Sequence, residues 1–135
     1  MSKRLTSNNC LNNKKIKLAH SKYYLNLLEA EDKIHDAILR NDDVLFYNIV
    51  KEYPYIFTIN HLSMMVEYDR YDMIRDTIVL TDIKPNNAIL SKAIRKNYFI
   101  IVKIILDLTN IRPDFNDIKY AFDNNFKETF DIISD

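Results

Sequence analysis

Residues 83–98, IKPNNAILSKAIRKNY, and residues 111–126, IRPDFNDIKYAFDNNF, follow one pattern at an interval of 28 residues. In each stretch an isoleucine, a basic residue and a proline come first, and an alanine stands eight residues after the proline. An asparagine and an aromatic residue close the pattern. A repeat of this length is typical of solenoids, in which each unit buries a face that it cannot bury alone.

The same interval continues toward the N-terminus, where the match is looser. The second unit has Val66 and Arg70-Tyr71 at the corresponding places, and the first has Ala37-Ile38 and Asn41-Asp42. Each unit has a small or β-branched residue at the position of this alanine, which we call its anchor. The four anchors are Ala37, Val66, Ala93 and Ala121, which lie 29, 27 and 28 residues apart. Four units exceed the roughly three that such stacks need.

The charges divide the chain into two parts. No acidic residue precedes Glu29, whereas six basic residues do, so 13 basic side chains remain against 19 acidic ones in residues 29–135. Residues 1–22 have few apolar side chains, and we predict a basic, flexible arm there. Residues 23–135 form the predicted helical domain.

The composition excludes several classes of protein. The chain has no glycine, which argues against phosphate-binding loops and glycine-built oxyanion holes. Its one cysteine, Cys10, allows no internal disulfide, which suits a reducing compartment. No apolar segment follows the first basic residues, and the apolar runs are too short to span a bilayer. We therefore expect an intracellular protein of the cytoplasm or nucleus that is not secreted and has no membrane association; if the protein is viral, a virion is the other expected location.

In each unit the spacing of the apolar residues predicts two short antiparallel helices. In the third unit, Asn86 or Asn87 caps a helix that buries Ile89, Leu90, Ala93 and Ile94, and Lys96-Asn97 forms the turn. The second helix of that unit is predicted to bury Ile101, Val102, Ile104, Ile105 and Leu108. In the fourth unit the predicted inward residues are Ile118, Ala121, Phe122, Phe126, Phe130 and Ile133.

The second unit fits this plan less well. Ser63 stands where the other units place Ile34, Leu90 and Ile118, and Arg70 takes the place of the turn asparagine. Strict alternation of apolar and polar residues is missing, so β-structure is the weaker interpretation. The predicted fold is all-α, a short solenoid of about four helix-turn-helix repeats. A compact helical bundle with an accidental repeat is the alternative.

The units resemble degenerate ankyrin repeats. That family's first helix carries Thr-Pro-Leu-His-x-Ala-Ala, followed by a Gly-His turn and an Ile-Val-x-x-Leu-Leu second helix. Ile34-His35-Asp36-Ala37 is similar to the first element, and Ile101-Val102-Lys103-Ile104-Ile105 to the second. Asn41, Asn97 and Asn125 stand at the turn glycine's place. The period of 28 residues, against about 33 in the family, implies that the protruding hairpins are shortened to loops.

The resemblance, which covers residues 29–134, implies a non-enzymatic module that binds another protein. Such trimmed repeats look like those of large DNA viruses, whose ankyrin-like proteins act at the interface with host proteins. The abundance of Asn, Ile, Lys, Tyr and Phe is also common in those viruses. The implied partner is a host or viral protein. We expect no catalytic residues and no cofactor, and the oligomeric state stays open.

The resemblance also implies where the partner binds, because the inner groove of such stacks is formed by loops and by the exposed side of each first helix. The implied contact residues are Asn60, His61, Met64, Glu67, Asn87, Ser91, Lys92, Arg95, Asn116, Lys119 and Tyr120. They form a mixed polar face, which favours a protein over nucleic acid. His35 is expected to support neighbouring loops through hydrogen bonds. His20 and His61 do not form a recognisable metal-binding pattern.

The basic arm supports a second hypothesis. Its six positive charges suit nonspecific binding to phosphates, in a virion structural or nucleic-acid-associated protein. The acidic remainder of the chain argues against nucleic acid lying on the repeats.

Overall fold

A computed structural model describes residues 26–135, and the predicted arm, residues 1–22, lies outside that part. The chain divides into two compact units, residues 1–32 and residues 33–135. In the first unit the described residues, 26–32, are helical. The packing of the helices and the candidate site belong to the second unit.

The prediction of an all-α protein is confirmed for the described residues, which contain eight helices and no strand. Residues 26–40 are α1. A single 3-10 turn, Pro54–Ile56, precedes α3. The other helices are α2 (Asp43–Glu52), α3 (Ile59–Glu67), α4 (Tyr71–Leu80), α5 (Asn87–Arg95), α6 (Phe99–Leu108), α7 (Phe115–Asp123) and α8 (Lys127–Ile133). None of the helices in residues 26–135 has the length and apolar character needed to cross a membrane.

One turn recurs after every odd-numbered helix. Asn41, Asp69, Asn97 and Asn125 have φ values of 57°, 56°, 58° and 59°, and each lies 28 residues from the next. After each of them a backbone N–H bonds back to the preceding helix, as Tyr98 N does to the carbonyl of Ala93 at 3.0 Å. This is a Schellman-type helix end. Asn and Asp tolerate the left-handed conformation, so the chain makes these turns without glycine.

The structure corrects the spacing assigned to the second unit. The left-handed residue there is Asp69 and not Arg70, so the anchor 28 residues from Ala37 and Ala93 is Met65 and not Val66. The residue equivalent to Ile34 and Leu90 is then Leu62, which is fully buried. The second unit therefore fits the pattern as well as the others do.

The helices pack in two rows. In one row α3 packs on α5 and α5 on α7, and in the other α2 packs on α4, α4 on α6, and α6 on α8. Each odd-numbered helix from α3 onward also contacts the helix that follows it. The buried side chains lie between the rows and form one continuous cluster that includes Ile34, Leu62, Leu90, Ile101 and Ile105.

The predicted core is mostly confirmed in the third unit. Asn86 caps α5 by accepting the backbone N–H of Ile89 at 2.9 Å, and the four predicted residues of that helix are buried. Two predictions are wrong, because Leu108 is 42% exposed and Phe122 is 64% exposed. Leu108 is the last residue of α6. Phe122 lies on the last pair of helices, where no further described helix covers it.

Candidate protein-binding face

All eleven predicted contact residues lie on one row of helices. We call the outward side of this row the α3-α5-α7 face. On α3 it carries Asn60, Met64 and Glu67, on α5 Asn87, Ser91, Lys92 and Arg95, and on α7 Asn116, Lys119 and Tyr120. These ten are exposed or half-buried. The eleventh predicted residue, His61, is buried.

His61 has a local role at the start of α3. Its Nδ1 accepts the backbone N–H of Thr58 at 2.9 Å and lies 3.2 Å from the Thr58 hydroxyl. Its ring packs edge-on against the rings of His35 and Phe57, with centroids 5.5 and 5.7 Å away. A residue held in this way fixes the N-terminus of α3 and does not present its ring to a partner.

An ion-pair cluster connects α3 to α5. Glu67 accepts from the ammonium groups of Lys92 at 2.9 Å and Lys96 at 3.2 Å. Lys92 also donates to the carbonyl and the hydroxyl of Ser63, both at 3.1 Å. These lysines, Lys92 first, hold the pKa of Glu67 below its usual range. The cluster holds Glu67 and Lys92 of the face together with Lys96, the residue that follows α5.

A second set of contacts connects α5 to α7. The Ser91 hydroxyl donates to the Asp117 carboxylate at 2.5 Å. One turn later, the guanidinium of Arg95 lies over the Tyr120 ring, 4.6 Å from its centroid. A cation over an aromatic ring is an attractive arrangement that also orients the long arginine side chain. The predicted contact residues thus hold neighbouring helices together as well as facing outward.

The face contains a polar cleft between the N-terminal ends of α5 and α7. It has a volume of about 260 Å³ and is lined by Asn87, Ala88, Ser91, Arg112, Asp114 and Asp117. Three hydrogen bonds hold the Arg112 side chain beside this cleft. Its guanidinium donates to the carbonyls of Leu106, Thr109 and Ile111 at 3.3, 3.2 and 2.7 Å. Asp114 caps α7 by accepting the backbone N–H of Asp117 at 2.9 Å.

Two of the six lining residues, Asn87 and Ser91, are among the predicted contact residues, and the other four are not. The interval of 28 residues places Asp114 at the position of the cap Asn86, and Arg112 at that of Lys84. Lys84 donates to the carbonyl of Thr81 at 3.0 Å, as Arg112 does to that of Thr109. That spacing was the available signal for Arg112 and Asp114.

Chemically, the face presents cations, carboxylates, amides and one aromatic ring at fixed positions. Such a surface can recognise the polar side chains and backbone of another protein. Comparison with known proteins finds no matching family model, and neither a curated protein nor a solved structure that matches significantly.

Proposed function

We propose that this chain is a non-enzymatic protein-interaction module built of four ankyrin-like helix pairs, and that its partner binds the α3-α5-α7 face. The main support for the proposal is that the same left-handed turn recurs every 28 residues, at Asn41, Asp69, Asn97 and Asn125. A regular stack sets equivalent helices side by side and forms the extended surfaces by which repeat proteins bind other macromolecules.

The ankyrin-like part of the proposal has further support in the pairing of the helices, since α3, α5 and α7 each contact the helix that follows them. The short repeats, without strands in residues 26–135, agree with loops in place of hairpins. The short period and the composition rich in Asn and Ile also support a viral origin, which we include in the proposal. The proposed partner is then a host or viral protein.

The contacts within the α3-α5-α7 face favour binding. Glu67, Lys92, Lys96, Arg95 and Tyr120 are already held by one another in the unbound chain. Ordering a flexible lysine or arginine on binding costs about 0.5–1.5 kcal/mol, and side chains that are ordered beforehand avoid part of this cost. The mixture of charges suits a protein partner better than a polyanion, which would require a field of one sign.

Affinity capture tests the proposal. The intact chain and a chain starting at Tyr23 are used as baits at low and high salt, and the retained molecules are identified by mass spectrometry. We expect a discrete protein retained by both baits at high salt. The second candidate function, phosphate binding by the six basic residues before Glu29, predicts nucleic acid that is lost without the arm or at high salt.

Point variants then locate the contact with the captured protein. Asn87→Arg and Asn116→Arg add bulk and charge to the face without removing the contacts described above. The matched control is Lys103→Glu, an exposed position on α6 in the other row. We expect each Asn variant to weaken binding by about tenfold or more, and the control to bind within about twofold of the parent. Equal binding by all three variants would place the contact elsewhere.

A further inference from the structure

Asp117 places a carboxylate in the interior at the start of α7, where it is only 5% exposed. At intervals of 28 residues it is preceded by Ile89 and His61, which are buried as well. His61 uses its ring to hold the start of its own helix, by accepting the backbone N–H of Thr58. An aspartate is rarely buried unless it is paired, because taking a charge out of water is costly. The partners of the Asp117 carboxylate therefore indicate what it does.

The protein provides a partner for only one of the two carboxylate oxygens of Asp117. Oδ1 accepts the Ser91 hydroxyl at 2.5 Å. Oδ2 has no hydrogen-bond or ion-pair partner among residues 26–135. In this described part of the chain, no fully buried side-chain oxygen lacks a partner, so Oδ2 is not sealed in the interior. Because Asp117 lines the polar cleft between α5 and α7, its second oxygen opens into that cleft.

The other groups of the cleft favour a cationic ligand. Asp114 adds a second carboxylate, which uses Oδ1 to accept the backbone N–H of Asp117. Arg112 is the one cationic side chain in the lining, and its guanidinium already donates to three backbone carbonyls. The open oxygens of the two aspartates are acceptors, so a ligand that satisfies them must donate. An anion would instead lie against two carboxylates.

We propose that this cleft receives a basic side chain, lysine or arginine, of the protein that binds the α3-α5-α7 face. This inference rests on the proposed function and adds the chemistry of one contact of the partner. An ammonium or guanidinium group donates several hydrogen bonds, and those to a carboxylate are among the strongest in proteins. A divalent cation suits the cleft less well, because it prefers six or more oxygen ligands and Arg112 lies in the same lining.

Titration of the isotope-labelled full chain with blocked peptides tests the cleft without the partner. The two probes are acetyl-Ala-Lys-Ala-amide and acetyl-Ala-Arg-Ala-amide. The control peptide carries norleucine, which resembles lysine in length but has no charge. With a basic peptide we expect saturable chemical-shift changes at Ser91, Asp114 and Asp117 that weaken as salt is added. The peptide that binds more tightly identifies the side chain, and the norleucine peptide should leave these residues unchanged.

Charge-removing variants locate the binding of the peptide. Asp117→Asn keeps an oxygen for the Ser91 hydroxyl but removes the charge, and it should weaken binding by about tenfold or more. Asp114→Asn preserves the helix cap, because Asn and Asp cap equally well, and it should weaken binding by about threefold. The matched control, Asp131→Asn, changes an exposed aspartate on α8 outside the cleft and should bind like the parent. Circular dichroism verifies folding, and the Asp114 variant decides alone if Asp117→Asn unfolds.

The proposal is overturned if neither basic peptide shifts the cleft residues, if the norleucine peptide binds equally, or if the folded cleft variants bind like the parent. Magnesium or calcium ions that shift these residues when the peptides do not would also overturn it. The captured protein separates this inference from the proposed function. If Asp117→Asn retains that protein and Asn116→Arg loses it, the face is correct and the basic side chain is wrong. If both variants retain it while the peptide binds the cleft, the proposed function is wrong.

Discussion

Single residues in an unfavourable backbone conformation define the repeat. Asn41, Asp69, Asn97 and Asn125 all take the left-handed conformation after a first helix. For an ordinary L-residue this conformation costs about 1–2 kcal/mol, while glycine adopts it freely and Asn or Asp adopt it at a reduced cost. The chain has no glycine, so each turn retains part of that cost.

Asp69 offers the clearest test of this backbone effect, because it is exposed and its φ is 56°. We expect Asp69→Gly to raise the free energy of unfolding by up to about 1 kcal/mol, and Asp69→Ala to lower it by about 1 kcal/mol. Urea denaturation of both variants measures the difference. Equal stabilities would mean that the turn does not require the left-handed conformation.

Between helices, the ion pairs of Glu67 with Lys92 and Lys96 link α3 to α5. The two lysines lower the pKa of Glu67, Lys92 having the larger effect. A carboxyl whose pKa is lowered by folding stabilises the folded state while it is ionised, and this contribution disappears as the pH falls through the lowered pKa. The cluster should therefore contribute at neutral pH and fail under acid.

Glu67→Gln tests the contribution of this cluster. We expect a modest fall in the urea midpoint at neutral pH, because exposed ion pairs contribute little and are screened by salt. The difference from the parent should shrink as the pH falls below the ordinary glutamate pKa of about 4.3. The matched control is Glu52→Gln, because Glu52 is likewise an exposed glutamate at the last residue of its helix, α2. A difference that stays constant from neutral to acid pH would rule out the ion pairs as its cause.

At the scale of the whole molecule, the sequence predicted the helix pairs well because apolar residues at helical spacing determine which faces are buried. It failed in the second unit for a physical reason. Met65 and Val66 are both apolar and both buried, so hydrophobicity alone could not decide which of them is equivalent to Ala37 and Ala93. The left-handed Asp69 settles the question, and the sequence does not reveal that conformation.

The candidate face was predicted only in outline. The resemblance to ankyrin repeats pointed to the exposed sides of α3, α5 and α7, which do carry ten of the eleven predicted residues at or near the surface. The links from Glu67 to Lys92 and from Arg95 to Tyr120 join residues 25 apart in sequence. Such pairs depend on how neighbouring helices are placed, so no local pattern could predict them. The same holds for the exposure of Phe122.

Nuclear magnetic resonance of the isotope-labelled chain, alone and with the protein isolated by capture, shows which residues the partner contacts. We expect the largest chemical-shift changes on the exposed residues of α3, α5 and α7, including Asn87, Arg95 and Asn116. Residues exposed on the other row, such as Val79 and Lys103, should change little. Shift changes concentrated on α4 and α6, with the α3-α5-α7 face unaffected, would place the partner on the other row of helices and contradict the proposed function.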